Sequence, residues 1–211
     1  GWGSVFYPVE YVNRIRTICY ENDILLTFDE MQAGFGRTGK PFGYEHYEVV
    51  ADLICCGKGM GGGVPLSGVI GTREVMDLPE VGNMSSTHSA NPLVCKAGLA
   101  VLDVMQEQNV LVETERKAEI FFEKLFEIRY AYSDKISHVL GKGLIASLIF
   151  MDPDGNIDSS SASQIAELCM RKGLLVVHTG RESIKLGPPL TISDAALIEG
   201  LTVLEEAIEE V

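Results

Sequence analysis

Three features of the sequence predict an α/β protein. Two short apolar runs, residues 24–28 and 49–56, stop abruptly at Asp29-Glu30 and Gly57-Lys58, as strands buried on both faces do at their polar carboxyl ends. Stretches with apolar residues three and four apart flank them, the alternation expected of a mostly parallel sheet with helical or looped crossovers. The 211 residues, set against roughly 150 per domain, leave room for one large α/β domain or two small ones.

The elements follow in order. Pro8 suits the first turn of a helix, where its missing N–H costs nothing; Val12, Ile15, Ile18 and Cys19 then recur at helical spacing, so a helix spans about 9–21. Residues 24–28 and 49–56 form two strands and 66–70 a third. Asn91 as a cap and Pro92 at the first helical position open a helix to about 107, carrying Val94, Ala97, Val101, Val104 and Met105. A domain boundary is expected near residue 108. A helix over about 110–130 places Phe121, Phe122, Leu125 and Phe126 on or near one face. Beyond it come strand-like residues 144–150 and a polar surface loop over 151–163. A Ser-capped helix over about 160–172 is stopped by Gly173, and strands at 174–178 and 184–186 follow. The last helix spans about 193–210, with Leu197, Leu201, Leu204 and Ile208 as its buried stripe.

Composition narrows the function classes. With 46% hydrophobic and 22% charged residues, the chain can bury a core, which argues against a disordered or fibrous protein. Its 17 Lys+Arg against 30 Asp+Glu leave a formal charge of −13 and no basic run, so a phosphate backbone would be repelled and no nucleic-acid partner is expected. The longest nearly unbroken apolar run, 144–151, falls far short of the ~20 residues that cross a bilayer, and no charged-then-apolar leader opens the chain. Five cysteines, two of them adjacent (Cys55 and Cys56), make a poor disulfide or zinc framework and read as reduced core residues in a cytosol. His46, His88, His138 and His178 are scattered, so no metal site is expected. The first residue is Gly1 rather than Met, and the opening residues read as the middle of a longer protein.

The chemistry concentrates in three places. Gly57-Lys58-Gly59-Met60-Gly61-Gly62-Gly63 follows a strand, and Gly57, Gly59 and Gly62 satisfy the dinucleotide fingerprint, but Val64-Pro65 and another apolar run replace the helix that should follow. A lysine between glycines at a strand end offers instead an amine that can attack a carbonyl and form a Schiff base once desolvation or nearby cations favour its neutral form. A solvated loop lysine is the plainer alternative. Asp29, at the end of an apolar strand, needs a cation or several donors, for which a protonated pyridine nitrogen would serve. A turn cap, an ion pair with Arg37, or a Walker-B carboxylate are its other readings. Ser85-Ser86-Thr87-His88-Ser89-Ala90-Asn91-Pro92 puts hydroxyls just before a helix start, where free amides and the positive end of the dipole favour a phosphate; an ordinary N-cap loop would look the same. Amine, carboxylate and hydroxyl-rich anion site together match the needs of pyridoxal phosphate.

Phe28 through Gly39, Asp52-Leu53-Ile54 ahead of Gly57-Lys58, and Thr87 through Pro92 resemble the class III pyridoxal-phosphate aminotransferases, among them the 4-aminobutyrate, ornithine and acetylornithine enzymes. The spacings agree: 58 − 29 = 29 residues from Asp29 to Lys58, and 87 − 58 = 29 from Lys58 to Thr87. The resemblance covers essentially the whole chain. It implies the fold-type I α/β architecture, with 1–108 the second part of a large, mostly parallel-sheet cofactor domain and 109–211 a small α+β carboxyl-terminal domain. It also implies a missing amino-terminal part that contributes another phosphate-binding loop and an aromatic residue stacked on the ring. The implied activity is transfer of an amino group from an amine or amino acid to an oxo acid, in a cytoplasmic homodimer with shared active sites. Position by position, Lys58 would carry the cofactor and shuttle a proton, and Asp29 would pair with the ring nitrogen. Met31 would pack on the ring, Gln32 would donate to the ring's phenolic oxygen, and Thr87 would reach the phosphate of the neighbouring subunit's cofactor. Lys185 stands where the family has a substrate-carboxylate arginine, and lysine lacks that planar bidentate grip. Trp2 stands where several members carry a glutamate, so Lys185 and Trp2 read as one coupled change in the substrate pocket. An amino-acid epimerase or aminomutase of the same family would keep the same cofactor residues, and an inactive truncated scaffold is the non-catalytic alternative.

Overall fold

The computed structural model describes residues 3–152, 154–178 and 180–211. The chain divides into two compact units, one of Tyr7–Leu111 and one that joins residues up to Phe6 to Val112–Val211. The division falls in the first turn of the helix that opens at Val110.

In the first unit, α1 (Val9–Glu21) buries Val12 and Cys19 and ends where the Asn22 N–H donates back to Ile18 O. β1 (Thr27–Asp29) pairs in parallel with β2 (Leu53–Cys56), matching Thr27 with Leu53, Phe28 with Ile54 and Asp29 with Cys55. β3 (Gly68–Gly71) runs antiparallel on the other side of β2, so the order is β1-β2-β3. The sheet is thus mixed rather than mostly parallel within the described residues. The link from β2 to β3 is a tight 3-10 turn and a short loop, and a parallel return needs a crossover of a dozen residues or more, usually helical. Both early strands are shorter than their apolar runs. The Ile24 N–H donates to Cys19 O, and Leu26 accepts at its carbonyl from the Asp52 and Leu53 N–H groups while its own N–H donates to the Asp52 side chain, which uses those residues as lead-in. β1 is also less buried than its composition suggests: among the described residues it pairs with β2 alone, with Thr27 and Asp29 exposed and Phe28 half-buried.

After a short helix α2 (Arg73–Met76), α3 (Pro92–Glu107) starts as its sequence predicts. Asn91 Oδ1 accepts from the Leu93 N–H at 2.9 Å, and Pro92 opens the first turn. α3 packs on the 3-10 turn Lys58–Gly61 through Gly98, where an added Cβ would come within 2.7 Å of Leu66 Cδ2.

The second unit contains α4 (Val110–Ala131), β4 (Ile136–Lys142), β5 (Ile145–Phe150), α5 (Ser159–Arg171), β6 (Val177–His178), β7 (Ser183–Leu186) and α6 (Asp194–Glu209). Its sheet is antiparallel throughout, in the order β4-β5-β7-β6. Phe121, Leu125 and Ile128 of α4, Leu148 and Phe150 of β5, and the Leu197, Leu201, Leu204 and Ile208 stripe of α6 meet in one core. Ser4 Oγ bonds Ser147 Oγ at 2.8 Å, tying the residues before Phe6 to β5.

Several expectations are corrected. β4 was not foreseen, because His138, Gly141 and Lys142 break its apolar pattern; it pairs with β5 through a register shift between Ile136 and His138. α5 is capped by Asp158, whose carboxylate accepts from the Ser161 N–H, and not by a serine, so helix already begins inside the expected 151–163 loop. β6 begins only at Val177, since the Leu174 N–H closes α5 on Cys169 O. Phe126 is 52% exposed, leaving the α4 stripe to Phe121 and Leu125. Cys95 is exposed on α3, whereas Cys19, Cys56 and Cys169 are buried; all five thiols are free.

Gly141 sits at φ +143°, and a Cβ there would collide with the Ile145 carbonyl in the adjoining strand. Gly141→Ala should therefore cost the protein roughly 2–3 kcal/mol, read as a lowered denaturation midpoint, with the loss centred on the unit containing β4 and β5.

Candidate active site

Parallel pairing of β1 and β2 brings their carboxyl ends side by side. Asp29 lies opposite Cys55, and the Glu30 N–H extends the ladder by donating to Cys55 O at 2.9 Å. The chain leaving β1 therefore runs beside Gly57 and Lys58, the residues that leave β2. Contact between the two exits is direct. The Met31 sulfur lies so close to Gly57 that a Cβ on that residue would overlap it. Gly57 has extended backbone, so its lack of a side chain serves space and not conformation.

Lys58 is exposed and has φ +45°, a left-handed conformation that costs a non-glycine residue about 1 kcal/mol or more. Strain of this kind collects where a side chain must be aimed. Phe35 at φ +55° and Ala90 at φ +52° share it, in the loop after Met31 and in the turn after Thr87. Asp29 is exposed, and its Oδ1 accepts from the Met31 N–H at 3.0 Å, a local turn contact that fixes the carboxylate at the strand end. Gln32 is exposed on the same loop.

Thr87 is exposed in the turn 87–90, four residues before Asn91, the N-cap of α3. In that turn Ser89 Oγ donates to Ser86 O at 2.7 Å. The helix that follows the Thr87 turn, α3, packs on the turn that carries Lys58. Asp29, Met31 and the Gly57-Lys58 turn are thus gathered at one edge, with Gln32 and Thr87 on loops of the same unit. Lys185 belongs to the other unit, half-buried in β7 opposite Ser147 of β5 and Val177 of β6. Trp2 lies outside the described residues.

Glu30 is the residue that sequence reasoning missed. It is 2% exposed, and its two carboxylate oxygens accept from the Gly43 N–H at 2.8 Å and the Tyr44 N–H at 2.7 Å. Burial pushes this carboxyl above its ordinary value, and the two amide donors pull the other way. The signal was the acidic pair itself: successive residues at a strand end face opposite ways, so Asp29 and Glu30 could not share one role. No group of acidic, His or Cys side chains suited to a metal occurs among the described residues, and no helix among them is long and apolar enough to cross a membrane.

Asp52 holds the frame behind the site. Its Oδ2 accepts from the Leu26 N–H at 2.6 Å, just before β1, and from Arg16 of α1 at 2.6 Å. The Leu26 amide first, then Arg16, holds the Asp52 carboxyl below its ordinary value of 3.8. A lowered folded value means the stabilisation is present above that ordinary value and is lost as pH falls through the lowered one. Asp52→Asn should accordingly lower the thermal midpoint at neutral pH, and the gap to wild type should shrink as the pH falls below 3.8. A gap that stays constant down to acid would remove the charge from the account.

The sequence profile described as Aminotransferase class-III matches residues 2–208. The acetylornithine aminotransferase of Caldanaerobacter subterraneus subsp. tengcongensis is 36% identical over 96% of this chain and 49% of its own length. The leucine/methionine racemase of Thermococcus litoralis is 35% identical over 99% of this chain and 47% of its own. A transaminase structure from the marine bacterium Virgibacillus superposes with a TM-score of 0.91 at 26% identity, covering 99% of this chain and 50% of that one. The chain spans about half the length of the curated relatives it matches. With the fold of transaminases and a profile match running almost from end to end, it belongs to the class-III aminotransferase family, in a fold-type I α/β architecture.

Proposed function

We propose that the protein containing this chain is a pyridoxal-phosphate-dependent aminotransferase that moves an amino group from an amine or amino acid to an oxo acid. The observation that carries this reading is the junction of the β1 and β2 ends, where an acid and a backbone-strained lysine leave adjacent parallel strands. The donor set suits the cofactor: an amine for its aldehyde, a carboxylate for its ring nitrogen, an amide for its phenolic oxygen, and hydroxyls before a helix start for its phosphate. When bound, pyridoxal phosphate supplies an aldehyde that captures amines and a ring that draws electrons from the substrate carbon.

The chain's own residues have distinct tasks in this reading. Lys58 Nζ would hold the cofactor through its aldehyde and, as a free amine, would take the proton from the substrate α-carbon and give that same proton to the former aldehyde carbon of the cofactor. The Asp29 carboxylate would pair with the ring nitrogen and favour its protonated form. Met31 covers a face of the ring and excludes water from it, and Gln32 orients the phenolic oxygen. Thr87 adds a hydroxyl to the phosphate site of a partner subunit, which makes the working form a homodimer with shared sites. Five free thiols favour a reducing cytosol as its compartment. Lys185 is assigned by the family resemblance to binding a substrate carboxylate, to which a lysine offers a single point charge.

The racemase relative favours one second reading: an epimerase or aminomutase, which would begin with the same proton removal but leave the amino group on the molecule it came from. Product analysis separates them, since a transaminase yields an oxo acid and a new amine, an epimerase only the inverted amino acid, and an aminomutase only its positional isomer.

Borohydride reduction of the intact protein with pyridoxal phosphate, followed by peptide mapping, should place the label on Lys58. Lys58→Ala should abolish both label and turnover, and persistence of either overturns the assignment. Lys185→Arg should lower KM for carboxylate-bearing substrates about tenfold, by replacing a point charge with a bidentate partner. Identical kinetics would take Lys185 out of the substrate pocket.

A further inference from the structure

Glu30 has a geometry that no role assigned so far uses. It is fixed at four points: its N–H donates to Cys55 O, its own carbonyl accepts from the Gly34 N–H at 3.0 Å, and its two carboxylate oxygens take the Gly43 and Tyr44 amides. Those contacts hold residue 30 against residues 43 and 44, the two ends of the loop that begins with Met31 and Gln32. The fit is close on both sides. A Cβ on Gly34 would come within 2.9 Å of Glu30 O, and one on Gly43 within 2.7 Å of Ala33 Cβ and 3.4 Å of Glu30 Oε2. The far end of the loop is itself fastened, since the Phe42 N–H donates to Glu45 Oε1 at 3.0 Å.

We infer that Glu30 is a positioning residue for the cofactor pocket: its buried carboxylate clamps the 31–42 loop shut, so that Met31 and Gln32 keep their places beside Asp29 and the Lys58 turn. The inference rests on the proposed function for the pocket, while the clamp itself rests on the hydrogen bonds. Two converging amides require two acceptor oxygens. A carboxylate provides them, whereas the isosteric glutamine provides one oxygen and turns an NH2 group toward the second amide. Desolvation makes the site intolerant of that mismatch, because a buried N–H left facing a donor has no water to turn to.

The test uses Glu30→Gln in the intact protein and three measurements. Amide hydrogen exchange at Gly43 and Tyr44, in the cofactor-free protein, should be slow in wild type and faster at one or both positions in the variant. Release of pyridoxal phosphate on dilution should speed up about tenfold, the scale of one lost hydrogen bond to a charged group. The visible absorption band of the bound cofactor should shift, which a general loss of stability would not cause. If Glu30→Gln fails to fold, Gly43→Ala presses on the same clamp from the other side and should produce the same three effects. Unchanged exchange overturns the clamp; faster exchange with unchanged release and an unchanged band overturns the positioning role. A wild-type protein that binds no pyridoxal phosphate overturns the pocket assignment and the positioning role together, and is recognised by its missing band, while amide exchange still reports on the clamp.

Discussion

The parallel pairing of β1 with β2 is the constraint on which the candidate site depends. Three matched residues set the register, and that register alone places Asp29 level with Cys55, three residues ahead of Lys58. A shift of one residue would reverse the faces of Asp29 and Glu30, exposing the acid that is now buried and burying the one now exposed. Asp52 guards that register from behind, joining Arg16 of α1 to the Leu26 amide at the entrance to β1.

Two neighbouring carboxylates show how environment divides labour. Asp29 stays in solvent at the strand end, where its carboxylate accepts from the Met31 amide. Glu30 turns inward, loses its water and takes two amides in exchange. A buried carboxylate held this way contributes less to net stability than to defining one loop conformation, since desolvation cancels much of what the hydrogen bonds return. Gly34 and Gly43 are the steric counterpart of that arrangement, leaving the loop backbone room to close on the acid.

Much of the architecture was legible because local rules coincide with the fold. α1, α3, α4 and α6 appear at their expected places, because apolar spacing, a Pro-led start and the Asn91 cap act within a few residues of each other. The α6 stripe of Leu197, Leu201, Leu204 and Ile208 is buried as a helical period requires. Elements whose definition lies in a partner were harder to read. β4 has no clean alternation and exists because β5 pairs with it; β1 and β6 are shorter than their apolar runs because neighbouring backbone groups claim their first residues. Asp158 displaced the serines as cap of α5 because its side chain, not theirs, reaches the Ser161 amide.

The sequence by itself determined which chemical groups stand at strand ends and helix starts: Asp29, Lys58 and Thr87 are legible there because turns, caps and apolar runs are short-range features. Tertiary structure alone decided which of those groups adjoin. The Met31 sulfur against Gly57, the Glu30 carboxylate against the Gly43 and Tyr44 amides, and the packing of α3 on the Lys58 turn join residues far apart along the chain. Such contacts depend on register and excluded volume, which no pattern of nearest neighbours encodes.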